Sequence, residues 1–206
     1  MSTFMPPAPP KYSEASTKVK AAKLITDVLA PANLVIALLL LVGWHSTNNF
    51  TGVAWGLLGA LFCGIIPITI VQLGVRRGRL TDKHVRVRKQ RIVPLAASLV
   101  SVVLGIVLLY VLGAPREVSA LVVAMLVGLA STLAVTVWWQ ISAHNAVAGG
   151  TVMILLLVFG QVVLPAMLIV LAVGWSRRVL KAHTLAQLCC GTALGAISAV
   201  VFTLLR

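Results

Sequence analysis

Acidic residues are nearly missing from this chain: Glu14, Asp27, Asp82 and Glu117 are the whole complement of 206 residues, against 17 Lys and Arg. No two of the four lie within ten residues of each other. That scatter argues against the clustered carboxylates that hold a diphosphate through Mg²⁺, and so against prenyltransferase or CDP-alcohol phosphotransferase chemistry. Charge of either sign is scarce, at 10% of residues, and 60% are apolar, where soluble domains run at roughly 25% and 45–50%. An ordinary soluble domain is therefore excluded. Cysteine is also scarce. Cys63, Cys189 and Cys190 all fall inside apolar runs, which gives no disulfide framework and reads as small core residues. No cleavable signal is apparent. Residues 1–24, Pro-rich and carrying Lys11, Lys18, Lys20 and Lys23, read as a disordered basic tail ahead of one membrane-embedded domain, residues 25–206.

What the chain has in quantity is long apolar runs. In lipid the backbone must satisfy its own hydrogen bonds, so such runs are helices. The fold class is all-α, a polytopic transmembrane helical bundle of six to seven membrane helices, two of them short. Spans are expected at about Val28–Trp44, Gly52–Val75, Ile92–Leu112, Val118–Trp139 and Thr184–Leu205. Between the last two lies an apolar run of 30 residues ending at Trp175 and interrupted by Gly160-Gln161 and Pro165. One helix of that length would rise about 45 Å, beyond a ~30 Å hydrocarbon core. It is either one steeply tilted helix or two short helices folded back on each other.

Three polar segments remain: 76–91, 140–145 and 176–183. The first holds eight basic residues (Arg76, Arg77, Arg79, Lys83, Arg86, Arg88, Lys89 and Arg91) and reads by itself as an anchor on anionic lipid, with no call for nucleic acid. His84, His144 and His183 fall one in each segment. Histidine serves as acid, base or nucleophile near neutral pH, and arginine forks match phosphate oxygens. Three His with several Arg and no carboxylate cluster suit phosphoryl transfer without metal or cofactor.

The spacing carries a resemblance. Ser176-Arg177, five residues, then His183 follows Ile141-Ser142-Ala143-His144, which follows His84, six residues, then Arg91. In that order they resemble the type 2 phosphatidic acid phosphatase superfamily, whose pattern is Lys-x6-Arg-Pro, Pro-Ser-Gly-His and Ser-Arg-x5-His-x3-Asp. The phrases HVRVRKQR, SAHNAVAGG and WSRRVLKAHTLAQ look like those of a small actinobacterial branch of it. The resemblance implies a metal-independent, two-step hydrolase of a lipid phosphate: phosphatidate, phosphatidylglycerol phosphate, or a polyprenyl phosphate or diphosphate. His183 would become a phosphohistidine. His144 would protonate the leaving alcohol and then activate water. Arg91, Arg177 and the Ser142 hydroxyl or an adjacent backbone N–H would cradle the phosphoryl oxygens. His84 stands where the family has Lys, with Arg88 near enough to supply the missing cation. The final Asp, which orients the nucleophile, is Gln187 here; an i,i+4 spacing places it on the face of His183. An amide accepts the ring N–H but does not stabilise an imidazolium as a carboxylate does, so the expectation is a slower enzyme, another orienting group, or a lapsed site.

For the three motifs to meet they must share one membrane face. The run after His144 must then fold back, which makes seven crossings. The basic tail and segment 76–91 lie on that same face, which the positive-inside rule assigns to the cytoplasm of a multi-pass cell-membrane protein. A non-catalytic protein of the same fold that binds anionic lipid phosphates is the rival reading. A transporter is disfavoured, because no span centre carries a charge.

Overall fold

The computed structural model describes Ser13 and residues 15–85 and 87–206. Lys11, Glu14 and Arg86 lie outside the described residues. The described chain is all helix and turn: α1 Thr17–Val28, α2 Pro31–Thr47, α3 Phe50–Arg76, α4 Arg88–Val111, α5 Arg116–Trp138, α6 Ala143–Phe159, α7 Met167–Val179 and α8 Leu185–Leu205.

The first departure from the sequence reading is α1. Residues 17–24, whose composition predicts part of a disordered tail, are helical. Ser16 caps the helix, its Oγ accepting from the Val19 N–H at 3.4 Å, and Ala22 and Thr26 are buried. The helix is too polar to stand out by hydropathy and owes its order to packing along α7. Beyond it the chain bends by 44° into α2. The Asn33 side chain holds that elbow, donating from Nδ2 to the carbonyls of Asp27 and Val28, each at 3.0 Å.

α2 and α3 form a tight antiparallel pair. A Cβ on Gly52 would collide with the Gly43 carbonyl, so the backbones touch where side chains would keep them apart. Within α3 the ladder widens into one π turn, Leu61–Ile65, just ahead of Pro67, which has no N–H to contribute. α4 and α5 follow as a second hairpin through Gly113, at φ +76°.

The long apolar run after His144 is folded back. Gly160 takes φ +71° and ψ −158°, a conformation open to glycine, and a 3-10 stretch Gly160–Ala166 containing Pro165 completes the reversal. α7 then runs beside α6, with Val173 packed against Ala148 and Gly174 beside the Asn145 amide. The arms have 17 and 13 residues, or about 25 and 20 Å at 1.5 Å per residue.

By length and composition, five helical stretches among the described residues could cross a membrane, or six with the bent α1–α2 pair; one of the five is the folded-back run Ala143–Val179. The core between them is apolar, built on Leu38, Leu39, Leu109, Leu121 and Phe202. The outer surface is apolar too: Val100, Leu104, Val107, Tyr110 and Leu171 are all exposed. A second correction concerns cysteine. Cys189 and Cys190 are exposed, because α8 turns Gln187, Leu188, Gly191 and Gly195 inward instead.

Candidate active site

The alternation of helix directions brings the ends of α3, α5 and α7 and the starts of α4, α6 and α8 to one end of the bundle. The three polar segments meet there. His183 is held by two backbone devices that leave it little freedom. On its N-terminal side α7 ends with Lys181 in the left-handed region, at φ +51°; the Ala182 N–H donates to the Arg177 carbonyl and the Lys181 N–H to the Arg178 carbonyl, each at 3.0 Å. That is a Schellman ending. On its C-terminal side Thr184 caps α8, and Thr184 with Gln187 forms a capping box. This S/T-x-x-E/Q signal is present in the sequence as Thr184-Leu-Ala-Gln187, and the motif spacing alone does not draw attention to it.

The capping box also fixes the chemistry of the ring. Gln187 Oε1 accepts from the Thr184 backbone N–H at 3.0 Å. A backbone N–H can only donate, so the side-chain atom there is the amide oxygen. His183 Nδ1 lies 3.2 Å from the same oxygen and must therefore carry the proton. Nε2 is left with the lone pair, as a nucleophile requires. Burial first, then the charges of Arg91 and Arg177, push the His183 ring down to about 3, while the Gln187 hydrogen bond opposes them. His183 is thus neutral across ordinary pH. Gln187→Glu keeps the capping oxygen and adds a charge. It is expected to raise the His183 ionisation toward 6.5. An NMR titration of the His183 ring checks this, and an unchanged titration would show that Gln187 does not govern the ring.

Ser142 is fully buried and caps α6, its Oγ accepting from the Asn145 N–H at 3.3 Å. Its own N–H donates to the Gln187 carbonyl at 3.2 Å. The serine thus spends itself on joining α6 to α8, and the first-turn N–H groups of Ala143 and His144 are the donors of that helix end. α6 and α8 approach at backbone distance: a Cβ on Gly191 would sit 2.6 Å from the Ser142 carbonyl oxygen. His144 is buried, and its Nε2 meets no hydrogen-bond partner among the described residues. It lies within electrostatic reach of Arg177, His84, His183 and Arg91.

Arg91 is buried at the start of α4, with Nε donating to the Val85 carbonyl at 2.6 Å and Nη1 to the Ile141 carbonyl at 3.0 Å. Val85 takes φ +42° to present that carbonyl, a costly conformation for a β-branched residue. Arg177 is 1% exposed. The His84 and His144 rings are 5.3 Å apart, centroid to centroid. Burial first, and then Arg177, lower His84 to about 4.

Of the residues picked from the sequence, His84, Arg91, His144, Arg177, His183 and Gln187 come together, with Ser142 in a capping role. Arg88 does not join them. Its Nη1 donates to the Val137 carbonyl at 2.9 Å, because the start of α4 lies beside the end of α5, whose last carbonyls lack helical partners. Two residues outside the sequence reading do join. Asp27 contacts Lys83 Nζ at 2.7 Å and His84 Nε2 at 3.2 Å, and the Thr26 hydroxyl donates to Ser176 Oγ at 3.1 Å. They sit on α1, far away in sequence, and no local pattern announces them.

Both guanidiniums are buried, Asp82 acts electrostatically on Arg91, and Glu117 pairs with His45 at the far end of the bundle. Among the described residues no three His, Cys, Asp or Glu side chains are grouped to hold a metal ion. From Lys83, His84, Arg91 and His144 a cavity of about 320 Å³ runs into the bundle as far as Leu121 and Gly128. Three of the hydroxyls in its wall bond back to their own helices, Ser98 to the Pro94 carbonyl, Thr136 to Thr132 and Ser198 to Leu194, at 2.6–2.8 Å. What faces the cavity is chiefly apolar. No family model matches the chain, and no curated protein or solved structure matches it.

Proposed function

We propose that the protein is an integral membrane lipid-phosphate phosphatase that works through a phosphohistidine on His183, without metal. The observation that carries this reading is the meeting of the buried His144, His183, Arg91 and Arg177 with the half-buried His84, from three separate chain segments, with the His183 lone pair on Nε2. Two buried cations beside an α-helix start favour a bound anion. The apolar outer surface supports a membrane setting, with α2 to α8 as seven crossings. The cavity below the cluster would take hydrocarbon. Lys18, Lys20, Lys23 and most other cations lie at the site end, which by the positive-inside rule favours the cytoplasmic side for it.

In the first step His183 Nε2 attacks phosphorus as the bond to the lipid oxygen breaks. His144 gives its proton to that oxygen. In the second, water attacks phosphorus, the P–N bond breaks, His144 takes the water proton, and inorganic phosphate leaves. Arg91, Arg177 and the first N–H groups of α6 spread the charge of the equatorial oxygens.

The second reading, a non-catalytic binder of anionic lipid, is favoured by one observation: Gln187 puts an amide where a carboxylate would support an imidazolium. The two part in one experiment. Purified protein with a lipid phosphate in EDTA is expected to release inorganic phosphate and, on quenching, to carry acid-labile, base-stable phosphate on His183. Lipid binding without release supports the second reading and overturns the first.

A further inference from the structure

We propose that Asp27 is a positioning residue that makes His84 a phosphate-binding cation when the site fills, and this rests on the phosphate site described above. The argument starts from which ring atom faces which partner. Asp27 Oδ1 lies 3.2 Å from His84 Nε2. A carboxylate only accepts, so Nε2 carries the proton in the neutral ring. The other nitrogen, Nδ1, then holds a lone pair, which repels a phosphoryl oxygen. For His84 to bind phosphate it must gain a second proton, at Nδ1, and become a cation held between two anions.

The surroundings decide when that happens. Arg177 and Lys83 oppose a positive charge on His84, Asp27 and Asp82 favour it, and the His144 ring lies 5.3 Å away, centroid to centroid. The Asp82 carboxylate accepts from the His84 backbone N–H at 2.8 Å, which fixes the loop, but the ring itself is held by Asp27. Burial and Arg177 prevail over Asp27, and the ring is neutral at pH 6. A dianion entering beside it adds an attraction worth roughly 1–3 pKa units for each close opposite charge. Asp27 is then the carboxylate against which the new imidazolium is balanced. His84 takes one proton from solvent, and Nε2–H and Nδ1–H bridge Asp27 and the bound oxyanion.

The fold supports such a role. Asp27 is on the last turn of α1, at the elbow that Asn33 holds, and the neighbouring Thr26 bonds Ser176 beside Arg177. The tip of α1 therefore touches the first and third polar segments together. A helix with only an anchoring duty has no reason to put a carboxylate against a half-buried histidine at the mouth of this site.

Sulfate is a suitable probe because it stays a dianion across the pH range used, so any proton taken up on binding belongs to the protein. Calorimetry at pH 6 in buffers of different ionisation enthalpy is expected to give close to one proton taken up per sulfate bound. In Asp27→Asn the uptake should fall below one half and the affinity by at least tenfold. In the His84→Lys background, where the cation is permanent, Asp27→Asn should cost less than threefold. Equal uptake in Asp27→Asn and the unmodified protein, or an equal penalty in both backgrounds, overturns the proposal. Sulfate binding with Asp27-dependent uptake but no phosphate release from any lipid leaves this inference standing and removes the phosphatase reading alone.

Discussion

Replacing His183 with alanine is expected to reduce phosphate release by about 10³-fold or more, since in the proposed mechanism the group lost is the one that forms the covalent intermediate. The fold should survive the change. The Schellman ending of α7 uses backbone groups of Arg177 to Ala182, and Gln187 keeps its bond to the Thr184 N–H, so neither flanking device needs the imidazole. Thermal unfolding in detergent close to that of the unmodified protein checks this. Acid-labile phosphate on the protein should vanish with the rate. Activity within threefold of the original would sink the assignment of His183 as nucleophile, whatever the other residues do.

The second large effect is expected at Arg177. Arg177→Ala should lower kcat/KM by about 10²–10³-fold, the usual cost of removing one donor to a developing oxyanion. Arg177→Lys should recover little, because an ammonium does not reproduce the planar fork. A separate signature distinguishes loss of a catalytic cation from loss of structure. Arg177 is one of the charges that hold His183 down to about 3, and it acts on His84 in the same direction. Its removal takes a positive neighbour away, so both histidines should protonate more easily and an acid limb should move up in pH in the residual activity. A fall in rate with an unshifted profile would reduce Arg177 to a packing role.

The helices were legible because a span must be apolar over its whole length, and that signal needs no partner. Expected and observed boundaries of α4 and α5 differ by a few residues. The fold-back at Gly160 was not readable from hydropathy. It followed from requiring His144 and His183 to share a face, and the left-handed Gly160 shows how the backbone does it. The rest depended on facts that sequence spacing does not hold. α1 owes its order to α7, Arg88 turns to the Val137 carbonyl, and Asp27 reaches His84 across 57 positions. Which side of α8 faces outward was equally hidden, since cysteine suits either side of an apolar helix.

Gln187 serves two masters, and this restricts what the position can become. Its oxygen closes the first turn of α8 and also sets the His183 tautomer. A side chain one methylene shorter would have to choose between them, and an apolar one would forfeit both together. Among the ordinary residues only Gln and Glu carry an oxygen at this reach. A single acid-for-amide exchange is then the one substitution at this position that keeps both bonds while changing the charge beside His183.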